Sequence, residues 1–327
     1  MNITALRPSR RASRREGNWE LRIGLGLFVG LVLFALSSLL PGVDAESYGP
    51  DALSAPSAQH LLGTDNLGRE MTARLSTAAL GGLQLAVVAT LLAAVVGIGL
   101  ALIAGYFGGI WDSLIMRATD LVLSIPGLLM ALVIKAILGP GTVTLLLTMT
   151  VLFAPVLTRI MRGPILAIKE RGFITAAEIA GRSRWSIAVS HILPNVATPL
   201  LVTMAGVAGQ TVLVEATLSY LGQGVQPPNP SAGRMVNEFQ KYMLTYPYLI
   251  VLPSLLILLQ VVAWNLLADG LQKSIGSGTT RRRNVLMAMI ALLAGSRPGR
   301  AARPRKSEDE SPPQRPTTRT IRTQEME

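Results

Sequence analysis

Runs of apolar residues alternate with polar segments along most of the chain. Each run is roughly twenty residues long, the length that an α-helix needs to cross the ~30 Å hydrocarbon layer of a membrane. The runs predict six spanning helices, and hence an all-α polytopic membrane protein. The predicted spans are residues 23–41, 81–105, 114–138, 141–161, 197–220 and 247–270.

The distribution of basic residues predicts the orientation of these spans. Most Lys and Arg residues lie in three regions, 1–22, 159–195 and the stretch from Lys273 onward. Because such residues are retained on the cytoplasmic side, both termini and the loop 162–196 are predicted to be cytoplasmic. The segments 42–80 and 221–246 then lie outside. A cleaved signal peptide is the competing interpretation of the N-terminus, but the first apolar run is long and no small-residue cleavage site follows it.

Composition excludes several classes of function. Only 15% of the residues are charged, against about 25% in soluble domains. The net charge of +11 follows from the predicted topology, so we predict no nucleic-acid partner. The chain has no cysteine and two histidines, which excludes thiolate chemistry and a multi-histidine metal site. It also lacks a Gly-x4-Gly-Lys-Ser/Thr phosphate loop, so it is predicted to be non-catalytic and to bind no cofactor itself.

Three regions follow from these patterns. They are a basic cytoplasmic arm at 1–22, a six-helix membrane domain at 23–275, and a basic cytoplasmic tail at 276–327. The tail is rich in Pro, Ser, Thr, Arg and Glu, and is predicted to be largely disordered because it cannot bury a core. Its apolar run 285–293 is too short to span a membrane; an interfacial helix and a loosely ordered segment both fit it.

The loop 162–196 carries the most informative local pattern. Phe173 to Ala180 predicts a short helix, which Gly181 can end in the left-handed conformation and after which Ser183 can cap a second helix. Pro194 marks the entry to the fifth span. Ala176 and Ala177 would let another protein approach the first helix closely, although this spacing alone also fits an ordinary amphipathic surface loop.

The extended pattern is more specific. The pattern Ala176-Ala177, then Gly181 and, after eleven intervening residues, Leu193-Pro194 resembles the "EAA" coupling motif of bacterial ABC importer permeases. Over residues 20–273 the chain is similar to the C-type permease subunit of the dipeptide, oligopeptide and nickel importers. The segments that carry this wider resemblance are 60–70, 105–112, 117–126, 215–228 and 264–271.

The resemblance implies the fold of a six-helix type I ABC importer transmembrane domain in the bacterial plasma (inner) membrane. It also implies three kinds of partner: a second homologous permease subunit, two cytoplasmic ATPase domains that hold ATP and Mg, and an extracytoplasmic solute-binding protein. The implied ATPase-coupling residues are Phe173, Thr175, Ala176, Ala177, Glu178, Gly181, Leu193 and Pro194. Thr175 stands where the family usually has Glu, and Glu178 or Glu170 is the hypothesised replacement.

Charged residues in or near the spans are further candidates, because charge in hydrocarbon is costly and usually faces protein or water. Glu215 and Tyr220 are candidates for an outer gate or receptor-facing surface, with a satisfied helix-end carboxylate as the alternative for Glu215. Arg117 and Asp120 are three residues apart on one helix and are predicted to form a structural ion pair rather than a gate. Lys135 is predicted to reach the membrane interface rather than to contact substrate.

The sequence therefore predicts a permease subunit that forms half of a translocation pathway for dipeptides or oligopeptides. The same role for nickel, glutathione or haem is one alternative, and a self-sufficient secondary transporter or channel is another. A secondary transporter is expected to show internal repeats or broken helices with several buried charges, which the sequence does not show clearly.

Overall fold

The computed structural model describes residues 19–276, and within that range it contains helices and no β-strand. The rest of the basic arm, and the tail with its apolar run 285–293, lie outside the described residues. The α-helices are α1 (Trp19–Leu36), α2 (Met71–Leu102), α3 (Gly109–Ser124), α4 (Gly127–Leu138), α5 (Thr142–Lys169), α6 (Gly172–Ile179), α7 (Arg184–Ile187), α8 (Leu193–Tyr220), α9 (Ala232–Phe239) and α10 (Tyr248–Gly276).

Two π-helical turns lengthen the spanning helices at one end of the bundle. Ile103–Phe107 continues α2, and Ala188–Ile192 joins α7 to α8. Five helical segments are then long and apolar enough to cross a membrane, and α3 with α4 makes a sixth if the bent pair counts as one span. The five are Trp19–Leu39, Met71–Phe107, Thr142–Lys169, Arg184–Tyr220 and Tyr248–Ser274. The all-α polytopic fold is therefore confirmed.

The third predicted span, 114–138, is wrong as a continuous helix. The chain bends by 91° between α3 and α4, at Ile125 and Pro126. Proline has no N–H to donate and disfavours helical geometry in the residue before it, and Ile125 is extended, with φ −87° and ψ 130°. Hydropathy cannot report this bend because both halves remain apolar.

Two predicted boundaries are also wrong. Helix α2 begins at Met71 rather than at residue 81, and α5 continues to Lys169 rather than ending at residue 161. Both extensions pack on other elements: Met71 and Leu75 are buried at one end, and Ile165 and Ile168 at the other. Tertiary packing sustains these turns, so the helices are longer than their most apolar stretches.

Small residues allow α2 and α5 to pack closely along the centre of the bundle. A Cβ placed on Gly97 would lie 2.8 Å from both the carbonyl oxygen of Ala154 and the Cβ of Leu157. Thr158 Oγ1 donates a hydrogen bond to the Gly97 carbonyl oxygen at 3.1 Å. Helices in membranes associate through this kind of close van der Waals contact and interhelical hydrogen bond.

The bundle has two distinct ends. The long-loop end is formed by the segments 40–70 and 221–247, which meet where Arg69 Nη2 lies 4.0 Å from Glu238 Oε2. Beside them, the Tyr248 hydroxyl at the start of α10 donates to the Ser54 carbonyl oxygen at 2.9 Å. The short-helix end is formed by α6 and α7 together with the two π-helical turns. Each spanning helix runs between these ends.

Replacing Gly97 with Ala is expected to destabilise the protein by about 1–3 kcal/mol, because the new methyl group would overpack the α2–α5 contact. Gly99 is the matched control, since it lies on the same helix with no atom within 4 Å of its would-be Cβ. Thermal unfolding of both purified variants in detergent measures the difference. If Gly97→Ala unfolds no earlier than Gly99→Ala, the close contact is not a determinant of stability.

Candidate functional site

The two short helices are anchored on the ends of the spanning helices. Ile174 of α6 and Ile187 of α7 are buried in one apolar cluster with Leu102, Met161 and Ile165. The ring of Phe107 also lies 5.1 Å from that of Trp185. The pair is therefore held against α2 and α5, rather than carried on a free loop.

The sharp bend between α6 and α7 confirms the prediction from sequence. Gly181 has φ +74°, and the N–H of Arg182 reaches back to the carbonyl oxygen of Ala177 at 3.2 Å, which closes the C-terminus of α6. Ser183 Oγ accepts a hydrogen bond from the N–H of Ser186 at 3.3 Å and caps α7. Local sequence alone sets this geometry.

Helix α6 presents an apolar face to its surroundings. Phe173, Ala176 and Ile179 are three residues apart, so they share one side of the helix, and all three are exposed. Ile179 is 83% exposed. Thr175 is also exposed, whereas Ala177 turns partly into the apolar cluster. Of the two alanines predicted to allow close approach of another protein, Ala176 lies on this exposed face and Ala177 is partly buried.

Ile179 was missed by the sequence analysis. Its position three residues after Ala176 and six after Phe173 could have identified it, because helical periodicity places it on the same face.

Glu178 points back toward the spanning helices. Its Oε1 accepts a hydrogen bond from the Tyr106 hydroxyl at 3.2 Å, and Lys169 Nζ lies 6.0 Å from the centre of the Tyr106 ring. Leu193 packs against the apolar cluster, and Pro194 is exposed in the first turn of α8. Glu178 and Leu193 thus hold the short helices to the bundle, on the opposite side from Phe173 and Ile179.

The predicted ion pair between Arg117 and Asp120 is wrong, because Asp120 pairs with a different arginine. Asp120 pairs with Arg159 of α5, and Asp112 forms a two-bond contact with Arg162, at 2.7 and 2.6 Å. Within the described range, Arg117 has no acidic group within 4.0 Å. These side chains line an open cavity of about 510 Å³ between α3 and α5. Tertiary pairing across two helices replaces pairing along one.

Lys135 is held within the subunit. Its side chain is buried, 1% exposed, and Nζ donates to the Gly141 carbonyl oxygen at 3.2 Å. The carbonyl that it reaches belongs to the short connection between α4 and α5, so the lysine closes that turn from within.

A buried carboxylate organises the long-loop end. Asp65 is fully buried, and its Oδ2 accepts hydrogen bonds of 2.6 Å from Arg69 Nε and from Arg74 Nη1. The backbone N–H groups of Leu67 and Arg69 donate to Oδ1 at 2.8 and 2.9 Å. Two cations and two backbone donors offset the cost of burying this charge. The segment 60–70 therefore folds as an anchor on α2.

Glu238 of α9 extends this anchor across the long-loop end. Its carboxylate lies 3.0 Å from Arg74 Nη2 and 3.4 Å from Arg234 Nε. Arg74 is thus shared between a carboxylate of the first long loop and one of the second. The sequence contained these charges but offered no signal for their pairing.

His60 forms a second polar cluster at the same end. Its Nδ1 contacts Glu70 Oε1, and its Nε2 lies 3.7 Å from Asp51 Oδ2. The hydrogen bond to Glu70, with a smaller contribution from Asp51, raises the pKa of His60 above its ordinary value, against the opposing effect of partial burial.

Glu215 and Tyr220, the two candidates on α8 for an outer gate or receptor-facing surface, contact different groups. Glu215 is 5% exposed, and its Oε1 accepts hydrogen bonds from Ser219 Oγ at 2.6 Å and Ser231 Oγ at 3.0 Å. The Tyr220 hydroxyl instead donates to Gln240 Oε1 at 3.3 Å. No cluster of three His, Asp or Glu side chains within residues 19–276 could hold a metal ion.

Sequence comparison assigns the family. Residues 97–281 match the family described as "Binding-protein-dependent transport system inner membrane component". The chain belongs to this family and is a multi-pass inner-membrane permease subunit of the ABC importer class, with the type I transmembrane fold.

Curated relatives of similar length support this assignment. The glutathione transport system permease protein GsiD of Pectobacterium atrosepticum is 35% identical over 273 residues, which cover 82% of this chain and 90% of the relative. GsiD of Escherichia coli O6:K15:H31 and GsiD of Shigella boydii serotype 4 are each 36% identical over 266 residues, covering 80% of this chain and 88% of the relative.

The His60 cluster predicts a pH dependence of stability. A histidine whose pKa is raised on folding stabilises the folded state fully below its unfolded pKa, near 6.5, and loses that contribution as pH rises through the higher folded pKa. The thermal unfolding temperature of the wild type should therefore fall toward that of His60→Gln between about pH 6 and pH 9.

Thermal unfolding in detergent, followed by intrinsic fluorescence across this pH range, measures the effect. The same comparison is made in a His191→Gln background, which removes the other histidine. The difference in unfolding temperature caused by His60→Gln must persist in that background. A difference between wild type and His60→Gln that does not shrink with rising pH contradicts the assignment.

Proposed function

We propose that the chain couples ATP hydrolysis on partner subunits to solute import, with α6 as the contact to an ATPase domain. The observation that carries this proposal is the exposed apolar face of Phe173, Ala176 and Ile179. That face lies on a helix whose other side is fixed to the ends of α2 and α5. An apolar helix face of this kind fits a groove on another protein.

The path from α6 toward the membrane is short. Helix α7 continues through the π-helical turn Ala188–Ile192 into α8 without an intervening loop. Closure of an ATPase pair would displace the short helices, and α8 would move with them as one body. Rigid-body motion of packed helices is a known route to alternating access.

The short-helix end is proposed to face the cytoplasm and the long-loop end the exterior. The support is the charge pattern: Arg159, Arg162, Lys169, Arg171, Arg182 and Arg184 cluster at or near the short-helix end. Both termini are then cytoplasmic. A solute-binding protein would dock on the long-loop end, where Arg69 of the segment 40–70 contacts Glu238 of the segment 221–247.

The proposed cargo is a small peptide. The relatives named above are glutathione transport permeases, and glutathione is a tripeptide. It is thus the first cargo to test, with dipeptides next. We further propose that residues 23–275 form the permease domain, beside a second permease subunit, and that ATP and Mg are held by the ATPase partners.

Replacing Ile179 with Glu is expected to reduce co-purification of the ATPase subunits by tenfold or more, because a charge would be buried in an apolar contact. The tagged chain is purified from its native membrane in nanodiscs and its partners are quantified by mass spectrometry. Leu244→Glu is the matched control: Leu244 is a 94% exposed apolar residue at the opposite end. Absence of ATPases from the wild-type preparation, or equal recovery with both variants, contradicts the proposed contact.

The proposed orientation can be measured directly because the chain contains no cysteine. In spheroplasts that express the chain without its ATPase partners, a membrane-impermeant maleimide should label a Leu244→Cys variant and spare an Ile179→Cys variant until the membrane is permeabilised. Both side chains are more than four-fifths exposed, so accessibility within the subunit does not bias the comparison. The reverse labelling pattern would invert the topology.

A further inference from the structure

A cavity inside the bundle lies beneath the segment 225–231 at the long-loop end. It has a volume of about 330 Å³ and is bounded by α2, α5, α8 and α10. This volume falls within the range of small-molecule pockets. The cavity opens along one side of α2, where Gly81, Gln84 and Val88 line it and are exposed.

Glu215 supplies the only carboxylate among the residues that line this cavity in the described structure. It is nine-tenths buried, yet no Lys, Arg or His of residues 19–274 lies within 4.0 Å of it, and no described group donates a hydrogen bond to its Oε2. A charged carboxylate buried without a cationic partner is costly, so the charged form of Glu215 requires a counter-charge from elsewhere. An ionisable group placed inside a membrane domain commonly marks a functional site.

The hydroxyl groups around Glu215 are arranged so that its carboxylate accepts and does not donate. The N–H of Val225 donates to Ser219 Oγ at 3.2 Å, and Ser219 Oγ in turn donates to Glu215 Oε1. Ser231 Oγ donates to the same oxygen. With Oε1 occupied by two hydroxyl donors, Oε2 is the atom left to receive a donor from the cavity.

The segment 225–231, which covers the cavity, is held in place by contacts within the protein. Arg234 donates to the carbonyl oxygens of Val225 and Asn229 at 3.0 and 2.6 Å. Gly224 lies so close to Ser219 that a Cβ on it would stand 1.9 Å from the serine Oγ. The segment is therefore held down on α8, and the carboxylate is preorganised.

Gln260 adds a second acceptor. Its side chain is 3% exposed, and Nε2 donates to the Ala79 carbonyl oxygen at 3.2 Å, which leaves Oε1 as an acceptor next to Gly82. The remaining walls are largely apolar, from Leu85, Leu146, Val212 and Ile257. The cavity thus combines an anionic acceptor and a neutral acceptor with an apolar body.

We propose that this cavity binds the primary ammonium group of a small solute, with Glu215 as counter-ion and Gln260 Oε1 as a second acceptor. An ammonium group carries three donors and one positive charge: two of the donors can be accepted by Glu215 and Gln260, and the charge supplies the missing counter-charge. The binding site lies within this one subunit. It goes beyond the proposed function, from which only the choice of a peptide as probe is taken.

The test is direct binding of radiolabelled alanyl-alanine to the purified full-length chain in nanodiscs, by equilibrium dialysis. Saturable binding is expected for the free dipeptide, and at least tenfold weaker binding for its N-acetylated form, which has no ammonium group. Glu215→Gln keeps the shape and the acceptor for Ser219 but removes the charge, so it should also weaken binding at least tenfold. Glu46→Gln, an exposed carboxylate on the first long loop, is the matched control and should bind as the wild type does.

A second variant tests the cavity without touching the carboxylate. No atom lies within 4 Å of a would-be Cβ on Gly81, so Gly81→Leu can fill the mouth with a side chain and should abolish binding. Circular dichroism and size-exclusion chromatography establish that each variant is folded.

Three results overturn the proposal: no saturable binding by the wild type, equal binding of the acetylated dipeptide, or unchanged binding by folded Glu215→Gln. Failure here is distinguishable from failure of the proposed function, because binding to the isolated chain needs no ATPase. A chain that recruits ATPases but does not bind the dipeptide refutes only the cavity site. A chain that binds the dipeptide but recruits no ATPase refutes only the coupling role.

Discussion

A hydrocarbon layer offers no partner to a peptide N–H or C=O group, and most of this architecture follows from that constraint. The spanning segments are continuous helices, and where two of them change pitch, at Ile103–Phe107 and Ala188–Ile192, π-helical turns continue the helical path. The sharp interruption in the bundle is at Pro126, which has no N–H to leave unsatisfied. Apart from this interruption, extended backbone in the described range collects at the ends of the bundle.

The same constraint governs the polar side chains. Thr148, Thr158 and Thr211 each donate to the carbonyl oxygen four residues earlier, so their hydroxyl groups cost little inside the bundle. Charged groups cannot be satisfied so locally. They are neutralised in pairs across elements, as with Asp112 and Arg162 or Asp65 and Arg74. Lys135 and Glu215 depart from this rule: Lys135 donates to a nearby carbonyl oxygen, whereas Glu215 has only two hydroxyl donors.

Sequence predicted what depends on composition and local geometry. Apolar run length gave the number of spans, and Gly181 and Ser183 gave the bend between the short helices, because backbone conformation and capping act within a few residues. The bend at Pro126 was not predictable in this way: Pro155, Pro199 and Pro253 lie inside helices. The partners in the ion pairs could not be predicted from sequence either, because Asp120 pairs with Arg159, 39 positions away, and not with Arg117, three positions away.

The unbroken run from Arg184 to Tyr220 has a mechanical consequence. Its 37 residues make a strut of about 55 Å at ~1.5 Å per residue. If it pivots near its midpoint, a push of about 2 Å at one tip tilts it by roughly 4° and moves the other tip by the same amount, since the two arms of such a lever are about equal. The displacement is the same at both ends, so how much of it reaches the far end depends on the bending stiffness of the helix. Pro199, inside this strut, is the place where bending would absorb it.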